Sequence, residues 1–145
     1  SGDAGWGGPA AVPPLFREPS VEEVQDLLEF EGLQAQVALG GGRGFALKRL
    51  CLSSDAASLH ILEEDASVPA VLFGVPGFPL ADLRRVVCSR GSDPAKLRLV
   101  VLEFGEGFLP VRLGDVAVLR GLLGVLRASK EGLEVVEDDV WVPQD

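Results

Sequence analysis

The residues best equipped for chemistry lie in "GGGRGFALKR", residues 40 to 49. Glycines that leave backbone amides bare, followed by Arg43, Lys48 and Arg49, are the materials of a phosphate cradle. Their spacing excludes the nucleotide-binding versions. A dinucleotide or kinase glycine loop needs glycines at i, i+2 and i+5, and the third position falls on Phe45 counted from Gly40 and on Leu47 counted from Gly42. A P-loop needs Gly-x-x-x-x-Gly-Lys followed by Ser or Thr, which the chain lacks.

Other reactive types are scarce. His60 is the single histidine, inside the strand-like "LHIL", and reads as a surface or structurally satisfied residue rather than a catalytic base. Cys51 and Cys88 sit in apolar runs; with no Cys-x-x-Cys and one histidine they form neither a disulfide framework nor a zinc site, and read as buried thiols of a reducing compartment. Carboxylates cluster at Glu63-Glu64, at Glu103 and Glu106, and from Glu137 to Asp139, at turns and in the tail, where solvation is the default. No acid, base and electrophile converge, so the chain is expected to be no enzyme and to need no metal or cofactor.

The formal charge of −9 is uneven. Residues 1–42 carry one basic and seven acidic groups, residues 43–98 eight and six, and residues 99–145 four and nine. An acidic chain repels phosphate backbones, which disfavours nucleic acid as a partner. The most hydrophobic stretch, "VPAVLFGVPGFPL" (68–80), is broken by prolines and glycines and cannot be a membrane helix. The start at Ser1-Gly2, the lack of methionine and the Gly/Pro-rich opening suggest a piece of a longer protein.

The elements that must position these residues follow from periodicity. Residues 1–19 read as a flexible Gly/Pro-rich leader. Ser20 and Glu23 fit a capping box, and Val21, Val24, Leu27 and Leu28 make one helical stripe that Gly32 can end, so a short helix is expected over 20–31. "LQAQVAL" (33–39), "FALKRLCLSS" (45–54) and "LHILEE" (59–64) read as a three-strand meander. Strands are expected near 69–73 and over 78–88, and "KLRLVVLEF" (96–104) with "FLPVRL" (108–113) as a hairpin. Asp115 caps a helix over 115–128 whose Val116, Leu119, Leu122, Leu123 and Leu126 share a face; Gly121 and Gly124 are placed to let that helix approach the sheet. The acidic tail, 131–145, reads as an added strand or a peptide-like segment.

"FALKRLCLSSDAASLHIL" resembles the second and third strands of a pleckstrin homology (PH) domain, "FPLADLRRVVCS" its following strand, "LRLVVLEFGEGFLPVRL" its final hairpin and "DVAVLRGLLGVLRAS" its C-terminal helix. The resemblance spans about residues 33–130. It implies a mainly β fold with α: a PH-like antiparallel barrel or sandwich of about seven strands (33–113) capped by the C-terminal helix, here with an extra short N-terminal helix, the whole domain running over 20–130. The tryptophan usual on the last helix is missing, with aliphatic bulk near Leu122 in its place, which marks the domain as divergent.

That resemblance also places Gly40–Gly44 between the first two strands, where lipid-binding members hold a phosphoinositide head group. Those members carry a basic residue late in the first strand and a Lys/Arg-x-Arg pair on the second. "LQAQVAL" has no basic residue, and Lys48 and Arg49 are adjacent, so they point to opposite faces. The leading expectation is therefore a protein-interaction module of a cytoplasmic scaffold or regulatory signalling protein, with Phe73, Val75 and Phe78 as candidate contacts. The alternative is weak phosphoinositide or peripheral membrane binding through Arg43, Lys48, Arg49, Arg84, Arg85 and Arg90, which the net charge disfavours. A domain that packs only within its own parent chain is the third reading.

Overall fold

The computed structural model describes residues 18–39, 44–65, 77–90, 98–105 and 107–139. Residues 1–17 of the expected leader, the glycines and Arg43 of 40–43, residues 66–76 with the strand expected at 69–73, residues 91–97, Glu106 and residues 140–145 lie outside the described residues.

Ser20 accepts a hydrogen bond from the Glu23 amide while the Glu23 carboxylate accepts one from the Ser20 amide, a complete capping box that starts α1 (Val21–Asp26). The expected helix does not continue regularly to residue 31. It widens into a π-helical turn, Leu27–Glu31, and stops at Gly32, whose φ of +87° only glycine adopts without strain. A side chain there would also run into Arg49, so close packing and torsion both demand glycine.

The meander follows as β1 (Leu33–Val37), β2 (Ala46–Leu52) and β3 (Ser58–Glu63), paired antiparallel in sequence. In β1, Leu33, Ala35 and Val37 are buried and Gln34 and Gln36 exposed, the alternation the sequence shows. The single strand expected over 78–88 is instead two: β4 (Gly77–Pro79) and β5 (Leu83–Ser89), separated by a 3₁₀ turn at Leu80–Asp82. Pro79 lacks an amide donor and tolerates only an edge position, and Leu80 drops into the core, with its amide donating to the Ala57 carbonyl at 2.8 Å. The chain therefore leaves β3 and resumes against β6 (Leu99–Phe104), which pairs with β7 (Gly107–Arg112).

The strand order is β4-β3-β2-β1-β7-β6-β5-β8. The acidic tail is thus an added strand: β8 (Glu134–Asp138) lies parallel along β5, an eighth strand among the described residues that makes the sheet mixed. The sheet curls. Phe78 on β4 and Phe104 on β6 are far apart in this order, yet their ring centroids lie 5.2 Å apart. One core cluster results, joining Leu50, Leu52 and Leu59 from one half to Val86, Val100 and Leu102 from the other.

The core is closed by α2 (Val116–Ser129), whose Leu119, Leu122, Val125 and Leu126 are buried and whose Asp115 N-cap accepts from the Ala117 amide. Leu122, in the stretch where aliphatic bulk was expected in place of an aromatic, is fully buried. Gly121 and Gly124 do not serve the sheet. They face α1: a Cβ at Gly124 would stand 2.6 Å from Val21 Cγ2, and one at Gly121 would meet Val24. The two glycines let the helices, rather than helix and sheet, come close.

Candidate functional site

Phe78, the expected contact residue among those described, stands at a corner where the curled sheet meets itself. Gly77, Phe78 and Pro79 of β4, Asp82, Phe104 of β6, and Gly107 and Phe108 of β7 line a cleft of about 370 Å³. The Gly105 amide donates to the Asp82 carbonyl at 3.0 Å and ties the β6–β7 turn to the segment after β4. Gly77 is required here too, since a Cβ would stand 2.7 Å from the His60 ring, which is buried behind the edge strand. Phe104 fills the floor, Phe78 is half-buried beside it, and Phe108 stands 71 % exposed on the rim. Such a side chain leaves a large apolar face in water, and its neighbours are aromatic. Phe73 and Val75 lie outside the described residues.

Phe104 and Phe108 were not singled out from the sequence, although the signal was there. In "FLPVRL" Leu109, Val111 and Leu113 alternate inward, so Phe108 must point out. Its exposure follows from parity alone.

The basic residues do not gather. Lys48 shares its face of β2 with Leu50 and Leu52, and its ammonium bonds the Glu63 carboxylate across the β2–β3 ladder at 2.6 Å. Arg49 lies on the opposite face with Cys51, stacked over Gly32, as adjacency on a strand requires. Arg84 and Arg85 are on β5, separated from β2 by β1, β7 and β6. Arg84 reaches toward Gly105, and Arg85 makes two parallel 3.0 Å bonds to Glu103, a fork that raises its pKa further above the ordinary arginine value. Arg90 Nη2 donates to the Glu137 carbonyl at 2.9 Å. Arg43 lies outside the described residues.

Burial raises the thiol of Cys51 to about 11, partly offset by Arg49, and raises that of Cys88, with Glu137 adding to the effect. Both cysteines are free. Among the described residues no three His, Cys, Asp or Glu side chains gather where they could hold a metal ion. No helix among them is long and apolar enough to cross a membrane.

No protein-family model and no curated protein sequence matches the chain. Solved structures do. Inner membrane complex sub-compartment protein 3 from Toxoplasma gondii superposes with a TM-score of 0.55 at 12% identity, over 75% of this chain and 81% of that one. Sub-compartment protein 1 from the same organism gives 0.54 at 18% identity, over 83% and 98%. The PH domain from TgAPH gives 0.53 at 10%, over 75% and 87%. Identities this low carry the backbone arrangement and nothing of the partner. With the curled sheet, the strand order and the capping helix, they establish that this chain folds as a divergent PH-like domain.

Proposed function

We propose that this domain is a non-catalytic protein-interaction module of a larger cytoplasmic scaffold or regulatory protein, and that the cleft of Phe78, Phe104 and Phe108 receives an apolar side chain of the partner. The exposed ring of Phe108 beside two further aromatics is the observation that carries this reading. Aromatic anchors at a cleft are the residues that contribute most to protein interfaces. Asp82 on the wall and the net charge of −9 favour a partner with a basic group near the inserted side chain. Lys48, Arg85 and Arg90 each bond an acidic side chain or a carbonyl, which weakens the case for a head-group site.

The test has two arms. A photo-crosslinking residue at position 108 of the parent protein, expressed in its own cells, should give discrete protein adducts that Asp82→Lys diminishes and that the same residue at Glu131 does not give. In parallel, the chain should stay in the supernatant with phosphatidylcholine vesicles containing phosphatidylinositol 4,5-bisphosphate at about 0.15 M salt. Sedimentation abolished by Lys48→Glu/Arg49→Glu, with no adduct at 108, would overturn the proposal and make the domain a membrane binder.

A further inference from the structure

Two clefts lie along the seam between the N-terminal helix and the start of α2. One, of about 440 Å³, has apolar walls of Pro19, Val24, Leu27, Phe30 and Val118. The other, of about 350 Å³, runs from Leu27 and Val118 to Leu33 and Leu113. Because they share the walls of Leu27 and Val118, they make one groove with two chambers. The π-helical turn shapes it: the Gly32 amide donates to the Leu27 carbonyl at 2.6 Å, a five-residue span that is rare and recurs at functional sites. Phe30, inside that turn, lines the first chamber and is still 69 % exposed.

The rim carries one sign of charge. Glu23, Asp26 and Glu31 border the first chamber and Asp115 the second, all of them exposed, and among the described residues no lysine, arginine or histidine lines either. Among the described residues no cation pairs with Asp26 or Glu31. Arg120, two residues beyond Val118 on α2, is paired to Glu18 and lies in the field of Asp115. An apolar surface bordered by uncompensated carboxylates attracts cationic groups and repels anionic ones. That complementarity selects the occupant. A second copy of this chain brings the same charge of −9, and an anionic lipid surface is repelled as well.

We propose that this groove docks a basic amphipathic segment of a protein partner, which places an apolar side chain in each chamber and sets lysines or arginines against Asp26 and Glu31. Phe30 is the anchor, because an exposed aromatic on the wall of a groove offers a large contact area for one side chain. Glu23 and Asp115 add to the field, while their carboxylates already accept from the Ser20 and Ala117 amides. The surface is built by the extra N-terminal helix and uses none of the residues of the aromatic cleft.

The test titrates the full chain, followed by amide resonances, with a peptide of about 12 residues that repeats Lys-Leu-Leu-Lys, a minimal basic amphipathic segment. The peptide should bind saturably and shift the amides of Leu27, Phe30, Gly32 and Val118 while leaving those of Gly105 and Phe108 in place. Its affinity should fall at least about ten-fold as salt rises from about 0.05 to about 0.5 M. Phe30→Ser and Asp26→Lys/Glu31→Lys should each weaken binding at least about ten-fold with the unfolding midpoint unchanged, since all three side chains are exposed. Phe108→Ser should leave the affinity as it is, so this groove and the aromatic cleft fail separately. A Glu-Leu-Leu-Glu repeat of the same length should not bind. No saturable binding, equal binding of both repeats, binding that survives both variants, or shifts at Phe108 in place of Phe30 would each overturn the proposal. A dimer that Phe30→Ser dissociates would assign the groove to a second copy, and shifts at residues 1–17 on Phe30→Ser without peptide would assign it to the chain's own leader; either result overturns the partner.

Discussion

Cys51 is fully buried on β2 between Leu50 and Leu52, and the protein around it cannot solvate a thiolate. Folding therefore favours the protonated form: the folded thiol titrates at about 11 against 9.0 when unfolded. The sign of the linkage follows. Cys51 contributes no pH dependence below about pH 9, and stability falls as pH rises from about 9 to about 11, because the unfolded chain gives up its proton first. Denaturant titrations at steps across this window should show a falling midpoint that Cys51→Ala flattens. In the native chain at pH 8, a thiol reagent should modify Cys88, which is half-buried, well before Cys51.

Between elements, the tightest constraint is the contact of α1 with α2. Gly121→Ala gains about 1 kcal/mol of helix propensity, yet its Cβ enters the space of Val24, and overpacking of this kind costs about 1–3 kcal/mol. The net expectation is a destabilised chain. Combining Gly121→Ala with Val24→Ala should recover part of that loss, and a double-mutant cycle by thermal or urea unfolding measures it. Strictly additive effects would mean that the helices do not meet as described. Asp115 and Ser20 fix where these helices begin, so the contact depends on two caps as well as two glycines.

At the scale of the whole molecule, the contact between Phe78 and Phe104 marks the curl that brings the β4 edge against β6. Phe104→Ala should cost about 3–5 kcal/mol, as for a buried aromatic, and Phe78→Ala less, since that ring is half-buried. The coupling between them should be about 0.5–1.5 kcal/mol, the worth of an aromatic pair beyond its burial. A zero coupling in urea unfolding would leave the curl without support from this pair.

Much of this architecture is legible from residue order. The capping box at Ser20, the alternation of 33–37, the hairpin around Gly105, and the stripe of Leu119, Leu122 and Leu126 are local periodicities, and local sterics decide them. Parity on a strand also set Lys48 and Arg49 on opposite faces before any fold was known. What no local rule contains is which surfaces meet. The break at Leu80–Asp82, the glycines of α2 turned toward α1, the cleft at Phe108 and the parallel docking of 134–138 all depend on residues far apart in the chain. The sequence by itself determined the helix caps and the periodic runs that become strands and helices, because hydrogen bonding and side-chain period act within a few residues. Only the tertiary structure decided how the sheet curls and which edge the tail completes, because those outcomes rest on non-local burial and charge that a linear pattern does not encode.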